Sequence, residues 1–124
     1  MRSHTWRTPA FALAFAILAA PAAAAPSKQA QAEIDHLREH LSRSGCAFYR
    51  NGDWHDAASA RKHIDRKYAY LRKRDMADTA ELFIEHAASR SSRSGKAYQV
   101  RCDGAKPIDA SRWFRGELER FRRS

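Results

Sequence analysis

The chain has 124 residues, 23 Lys and Arg against 14 Asp and Glu for a net charge of +9, 44% hydrophobic residues and two cysteines. A chain this short excludes more than one domain of ordinary size, and its core is modest enough for a covalent staple to matter. The positive excess points toward an anionic partner, although arginines spread over several helices also serve simply to keep a small protein soluble.

Residues 1–8 carry Arg2 and Arg7 and no acid; Pro9 to Ala20 then read PAFALAFAILAA, and PAAAAP follows. This order predicts a secretory signal peptide over residues 1–24, cut after Ala24. The apolar run is shorter than the roughly 20 residues a spanning helix needs. The mature chain, residues 25–124, is therefore expected to be a single soluble domain, periplasmic or secreted. Outside the cytoplasm nucleic acid is not the expected partner; an anionic ligand or another periplasmic protein is. In an oxidising compartment Cys46 and Cys102 read as one disulfide rather than as two free thiols or a redox pair, since no C-x-x-C spacing accompanies them.

Ala30, Ile34, Leu37 and Leu41 recur at helical spacing, which predicts a first helix over 27–43 ending at Gly45. The aromatic string CAFYR, Cys46 to Arg50, reads as a strand, and Asn51-Gly52 as its turn. A second helix is predicted from about Trp54 to Arg74, begun by Asp53 or Asp56, with Trp54, Ala57, Ile64, Tyr68 and Leu71 on one face and Arg61 among them. Asp78-Thr79-Ala80-Glu81 resembles a capping box with Asp78 at its head, opening a third helix that buries Ala80, Phe83, Ile84 and Ala87 and ends near Ser89. Tyr98, Val100 and Cys102 alternate with Gln99 and Arg101 as a second strand. Ile108 and Trp113 straddle Asp109 as a hydrophobic staple for a last helix over 110–122, which buries Trp113, Phe114, Leu118 and Phe121. The expected fold class is α+β, in the order αβααβα, with a two-stranded antiparallel sheet covered by helices.

The strings SGCAFYRNGDW (Ser44 to Trp54), KYAYL (Lys67 to Leu71) and AASRSSRSGKAY (Ala87 to Tyr98) resemble the YfeK family of small secreted bacterial proteins, a domain of unknown function. The resemblance runs from about Ile34 to Phe121. It implies a periplasmic address and one compact domain and carries over no catalytic residue. His55 stands where the family commonly shows an aromatic, and some relatives lack the cysteine pair, which makes the disulfide a reinforcement of the fold.

No motif fixes a reaction. Ser59-Ala60-Arg61-Lys62 satisfies S-x-x-K but lacks its companion strings, and the serines of the 89–94 loop match no G-x-S-x-G. His36 and His40 have the i, i+4 spacing of metal ligands without a third, so they read as solvated and no metal or cofactor is expected. Asp56, His63 and Lys67 share a stripe of the second helix; with nearby serines they make a small periplasmic hydrolase an alternative, the bland reading being a salt-bridged surface. Arg115, Arg122 and Arg123 on the last helix offer a second alternative, attachment to an anionic membrane surface. Arg61 and Glu117, charges within apolar stripes, are expected to pair, the alternative being that Arg61 snorkels to water. The favoured reading is a binding or interaction module without assigned catalytic residues. Its candidate ligand site joins the turn Arg50, Asn51 and Gly52 to the loop Arg90, Ser91, Ser92, Arg93, Ser94 and Gly95, where arginines, hydroxyls and backbone N–H groups could hold an anion. The same residues also suit ordinary turns.

Overall fold

In a computed structural model the structure describes residues 26–124, with isolated positions 3, 9–10, 12–14 and 16 before them. The predicted signal peptide and its cleavage site otherwise lie outside the described residues.

Helix α1 (Lys28–Arg43) starts where the Ser27 hydroxyl accepts the Ala30 N–H, and it turns Ala30, Ile34, Leu37 and Leu41 into the core as their spacing requires. Strand β1 (Ala47–Arg50) follows. Asn51 and Gly52 both take positive φ, +49° and +93°, the twist that suits a two-residue hairpin turn. The chain therefore returns as a second strand, β2 (Asp53–His55), instead of entering a helix directly. This corrects the placement of Trp54: it lies on an exposed edge strand, tilted against Tyr49, with the Arg101 guanidinium 4.2 Å from its ring. Helix α2 (Ala57–Arg72) opens at Asp56, whose carboxylate accepts the Ser59 N–H at 2.8 Å, and buries Ala60, Ile64, Tyr68 and Leu71.

Thr79, not Asp78, caps α3 (Ala80–Phe83), its hydroxyl accepting the Leu82 N–H. The helix then widens into a π turn over Ile84–Ala88, closed by a 2.6 Å bond from the Ser89 hydroxyl to the Ile84 carbonyl. Strand β3 (Gln99–Arg101) and the two-residue β4 (Ile108–Asp109) lead into α4 (Ala110–Arg123). The sheet is four-stranded and antiparallel in the order β2-β1-β3-β4, twice the predicted number of strands within the predicted α+β class. The extra strands, of three and two residues, are too short to show an alternating pattern. Ile108 thus pairs with Val100 in the sheet and is partly exposed, and Asp109 caps α4 without a side-chain bond.

Phe48 and Val100, opposite one another on β1 and β3, point into a core shared with Leu37, Ile64, Phe83 and Phe114. Cys46 and Cys102 are bonded, their Cα atoms 4.4 Å apart, and close the β1–β3 ladder at one end as expected. Arg61 and Glu117 do not pair. Helix α1 lies against both α2 and α4 and supplies each with a different flank. Arg61 bonds Asp65, the Arg38 carbonyl and the Ser42 hydroxyl, whereas Glu117 takes His36, His40 and Arg120.

A second acid, Glu33, is buried on α1 and held by both ends of the Arg122 guanidinium at 2.6 and 3.1 Å; Arg122 also reaches Glu81 at 2.6 Å. Arg122 is therefore a clamp between helices rather than a free surface cation.

Two stability predictions follow from these ties. Replacing Cys46 and Cys102 by alanine frees a separation of 56 residues and should cost about 4 kcal/mol in the chain-entropy account, read as a lower denaturation midpoint with unchanged far-UV spectrum. Arg122→Met strands a buried carboxylate and should cost about 2 kcal/mol. Hydrogen bonding to Arg122 holds the Glu33 carboxyl below its ordinary 4.5. Its contribution is complete above that value and disappears as pH falls through the lowered one, so wild type and variant should converge in acid.

Candidate functional site: a cationic groove beside the hairpin

The hairpin tip and the serine loop meet. Asn51 Nδ2 donates to the Ser91 hydroxyl at 3.0 Å, and the Ser94 hydroxyl donates to Asn51 Oδ1 at 2.7 Å. The buried Ser91 oxygen also accepts the Arg93 and Ser94 N–H groups, and Gly95 N–H goes to the Ser91 carbonyl. Asn51, Ser91 and Ser94 are thus engaged with one another, and Gly52 and Gly95, at φ +93° and +72°, serve the backbone turns themselves. Arg50, Arg90 and Ser92 face a different structure.

Behind the loop, four side chains from β1, α2 and the start of β3 form one hydrogen-bonded chain. Arg50 Nη1 lies 3.2 Å from His63 Nδ1, His63 Nε2 lies 3.0 Å from the Tyr98 hydroxyl, and Lys67 Nζ lies 3.2 Å from the same hydroxyl and 2.8 Å from the Arg90 carbonyl. Arginine can only donate, so Nδ1 must accept and the ring proton sits on Nε2. Tyr98 oxygen then receives two hydrogen bonds, from His63 and Lys67, and its own hydrogen has no acceptor among the described residues. His63 and Lys67 are one turn apart on α2, which is why one phenol reaches both.

Burial, followed by the charges of Arg50, Lys67, Arg66 and His55, pushes His63 down to about 4. Burial, then Arg50 and Arg90, pushes Lys67 down to about 8. Burial also raises the Tyr98 phenol, against the pull of Arg50. Among the described residues none of Arg50, Arg66, Lys67 or Arg90 has a carboxylate within ion-pair distance. The site is therefore rich in donors and positive charge and short of acceptors.

Two spaces adjoin His63. Toward the core lies a cleft bordered by Arg50, His63 and Tyr98 on its polar side and by Phe48, Ile64 and Phe114 on its apolar side, of about 20 Å³, which is room for about one water. Outward lies an open groove of about 400 Å³ bordered by His63, Arg66, Lys67, Tyr70, Leu71, His86 and Ser92. The outer groove is the one with space for a ligand. His86 reaches it from the π turn, a backbone irregularity frequently found at functional sites.

The other sequence candidates come to rest elsewhere. Asp56 is occupied as the α2 cap while His63 bonds Arg50 and Tyr98, so the acid and imidazole of the hydrolase alternative do not meet. His36 and His40 are only partly solvated: they stack on Phe121 and Trp113, at 4.1 and 4.6 Å, and bracket the buried Glu117. Arg120 closes that cluster with a 2.9 Å ion pair. Burial opposes ionisation of Glu117, but hydrogen bonds from Arg120 and His36 outweigh it and hold the carboxyl low. Two histidines at i, i+4 and a glutamate inside an apolar stripe were the available signal for this contact.

The family model described as "Family of unknown function (DUF5329)" matches residues 28–122, from the first turn of α1 to the last of α4. The chain belongs to this family. The DUF5329 domain is thus the whole helical and sheet unit described above. A curated relative, "Uncharacterized protein YfeK" of Salmonella typhimurium (strain LT2), is 37% identical over 83 residues, which cover 66% of this chain and 68% of the relative. No solved structure matches the chain. The Cys46–Cys102 disulfide is compatible with a secreted or periplasmic DUF5329 protein, and among the described residues no helix is long and apolar enough to cross a membrane.

The neutral His63 gives a pH signature. Its folded value lies near 4 against an ordinary 6.5, so between these the unfolded chain binds more protons. Its contribution is complete above about 6.5, declines as pH falls through the window and is exhausted below about 4. Denaturant titrations from neutral pH down to about 4 should show that decline in wild type and a shallower one in His63→Gln.

Proposed function

We propose that this domain is a periplasmic binding module for a small ligand bearing an anionic oxygen group, a carboxylate, phosphate or sulfate, seated in the groove between His63, Arg66, Lys67 and Ser92. One observation carries the reading: the Arg50–His63–Tyr98–Lys67 chain contains a surplus hydrogen-bond donor and four neighbouring cations without an acid. An oxyanion in the groove answers both, accepting from Lys67, which is itself hydrogen-bonded to Tyr98, and relieving the cationic repulsion that adds to burial in depressing His63. Arg50 and Arg90 act from behind as charges, Ser92 lies on the rim, and Asn51, Ser91 and Ser94 hold the hairpin and loop so that the rim keeps its shape. A binding role needs no nucleophile and base pair, consistent with Asp56 and His63 lying apart.

Sulfate, phosphate and succinate should each raise the His63 titration midpoint, followed by imidazole NMR, and raise the melting temperature beyond the effect of chloride at equal ionic strength. At a ligand concentration 100 times Kd the stabilisation would be about 2.7 kcal/mol. Arg66→Gln together with Arg50→Gln should remove both responses with the far-UV spectrum intact. Equal responses to chloride and sulfate would defeat the reading.

A further inference from the structure

The chain is strongly biased to arginine and has only six lysines. Five of these, Lys28, Lys62, Lys73, Lys96 and Lys106, are exposed; Lys67 alone is not. Its ammonium is pinned between the Arg90 carbonyl and the Tyr98 phenol, 5.0 Å from the centre of the Tyr98 ring, and it borders the open groove. Arginine in this position would stay charged under all conditions; a half-buried lysine among cations can release its proton and expose a lone pair.

We propose that Lys67 captures small oxo-acids, such as glyoxylate or an α-keto acid, as an imine, with Arg66 at the groove wall holding the carboxylate and Arg50 acting from behind His63 as a charge. The inference rests on the anion reading of the same groove and adds to it a carbonyl beside the carboxylate. The neutral Nζ attacks the carbonyl carbon, forming the C–N bond as the C=O π pair moves to oxygen. Tyr98, whose hydrogen has no protein acceptor, gives that hydrogen to the alkoxide and takes a proton from the new ammonium to which it is already bonded. The resulting carbinolamine releases hydroxide to the open groove, where the buffer protonates it to water, as the nitrogen lone pair closes the protonated imine. The depressed ionisation of Lys67, to about 8, leaves a useful fraction of free amine near neutrality.

The test is reductive trapping of the purified protein with glyoxylate and cyanoborohydride at neutral pH, read by intact mass and peptide mapping. One adduct on Lys67 is expected, formed about tenfold or more faster than on any exposed lysine, with a rate rising through about pH 8 instead of the ordinary 10.4. Lys67→Arg should abolish that adduct with the far-UV spectrum intact. Tyr98→Phe should slow capture and weaken the sulfate response together, because both draw on the same phenol. Acetaldehyde, which has the carbonyl but no carboxylate, should label Lys67 poorly. Labels spread evenly over exposed lysines, or unchanged in Lys67→Arg, would overturn the inference. If sulfate still shifts His63 in that case, only imine capture falls; if it does not, the anion site falls with it.

Discussion

The antiparallel pairing of β1 with β3, locked at one end by Cys46–Cys102, is the constraint on which the site depends. Phe48 faces Val100 and Tyr49 faces Gln99, so the ladder runs toward Arg50 on one strand and Tyr98 just before the other. That end of the sheet is where α2 presents His63 and Lys67. The opposite end, where the sulfurs lie, is remote from the groove along the strands, so the disulfide acts on the site through register and stability. A slip of one residue in this pairing would send Phe48 to solvent and take Arg50 away from His63.

Charge is handled in two contrasting ways in this domain. Glu33 with Arg122, and Glu117 with His36 and Arg120, are buried acids supplied with donors, and they tie α4 to α1. Arg50, Arg66, Lys67 and Arg90 are cations left without acids around a half-buried imidazole and a buried phenol. The first arrangement stabilises the fold, because breaking it strands a charge. The second works against stability in the free protein, since burial and mutual repulsion both oppose protonation of His63 and Lys67. Uncompensated clusters of this kind are characteristic of sites that act on something else.

Much of this was legible in the residues. Helical spacing identified Ile34, Leu37, Leu41, Ile64, Tyr68, Phe83, Phe114 and Leu118 as core, because burial of a single stripe leaves a periodic trace in sequence. The Cys46–Cys102 bond and the meeting of the hairpin with the serine loop were also legible. The strands β2 and β4 were not, for an Asn-Gly turn does not say how far the chain returns, and two or three residues hold no period. Thr79 displaced Asp78 as a cap because adjacent acceptors compete for the same amides. The site itself was half visible: His63 and Lys67 stood out as a stripe on α2, and Arg50 as part of the turn. What joined them was the Tyr98 phenol, read only as a strand residue, and its role comes from register between distant segments. Glu33 was hidden, and Glu117 stood out as a charge in need of a partner but was paired with the wrong one, for the same reason: their partners lie 89 and 81 residues away.

The account turns on a neutral His63 that carries its proton on Nε2 and so leaves the Tyr98 hydrogen unclaimed. Nitrogen-15 NMR of the imidazole in the ligand-free protein at neutral pH reads this directly, since protonated and unprotonated ring nitrogens resonate far apart. The account predicts a protonated Nε2 and an unprotonated Nδ1. A proton on Nδ1 alone would contradict it, because Nε2 could then accept the Tyr98 hydrogen and the surplus donor would vanish; a charged imidazolium would contradict the neutral ring itself.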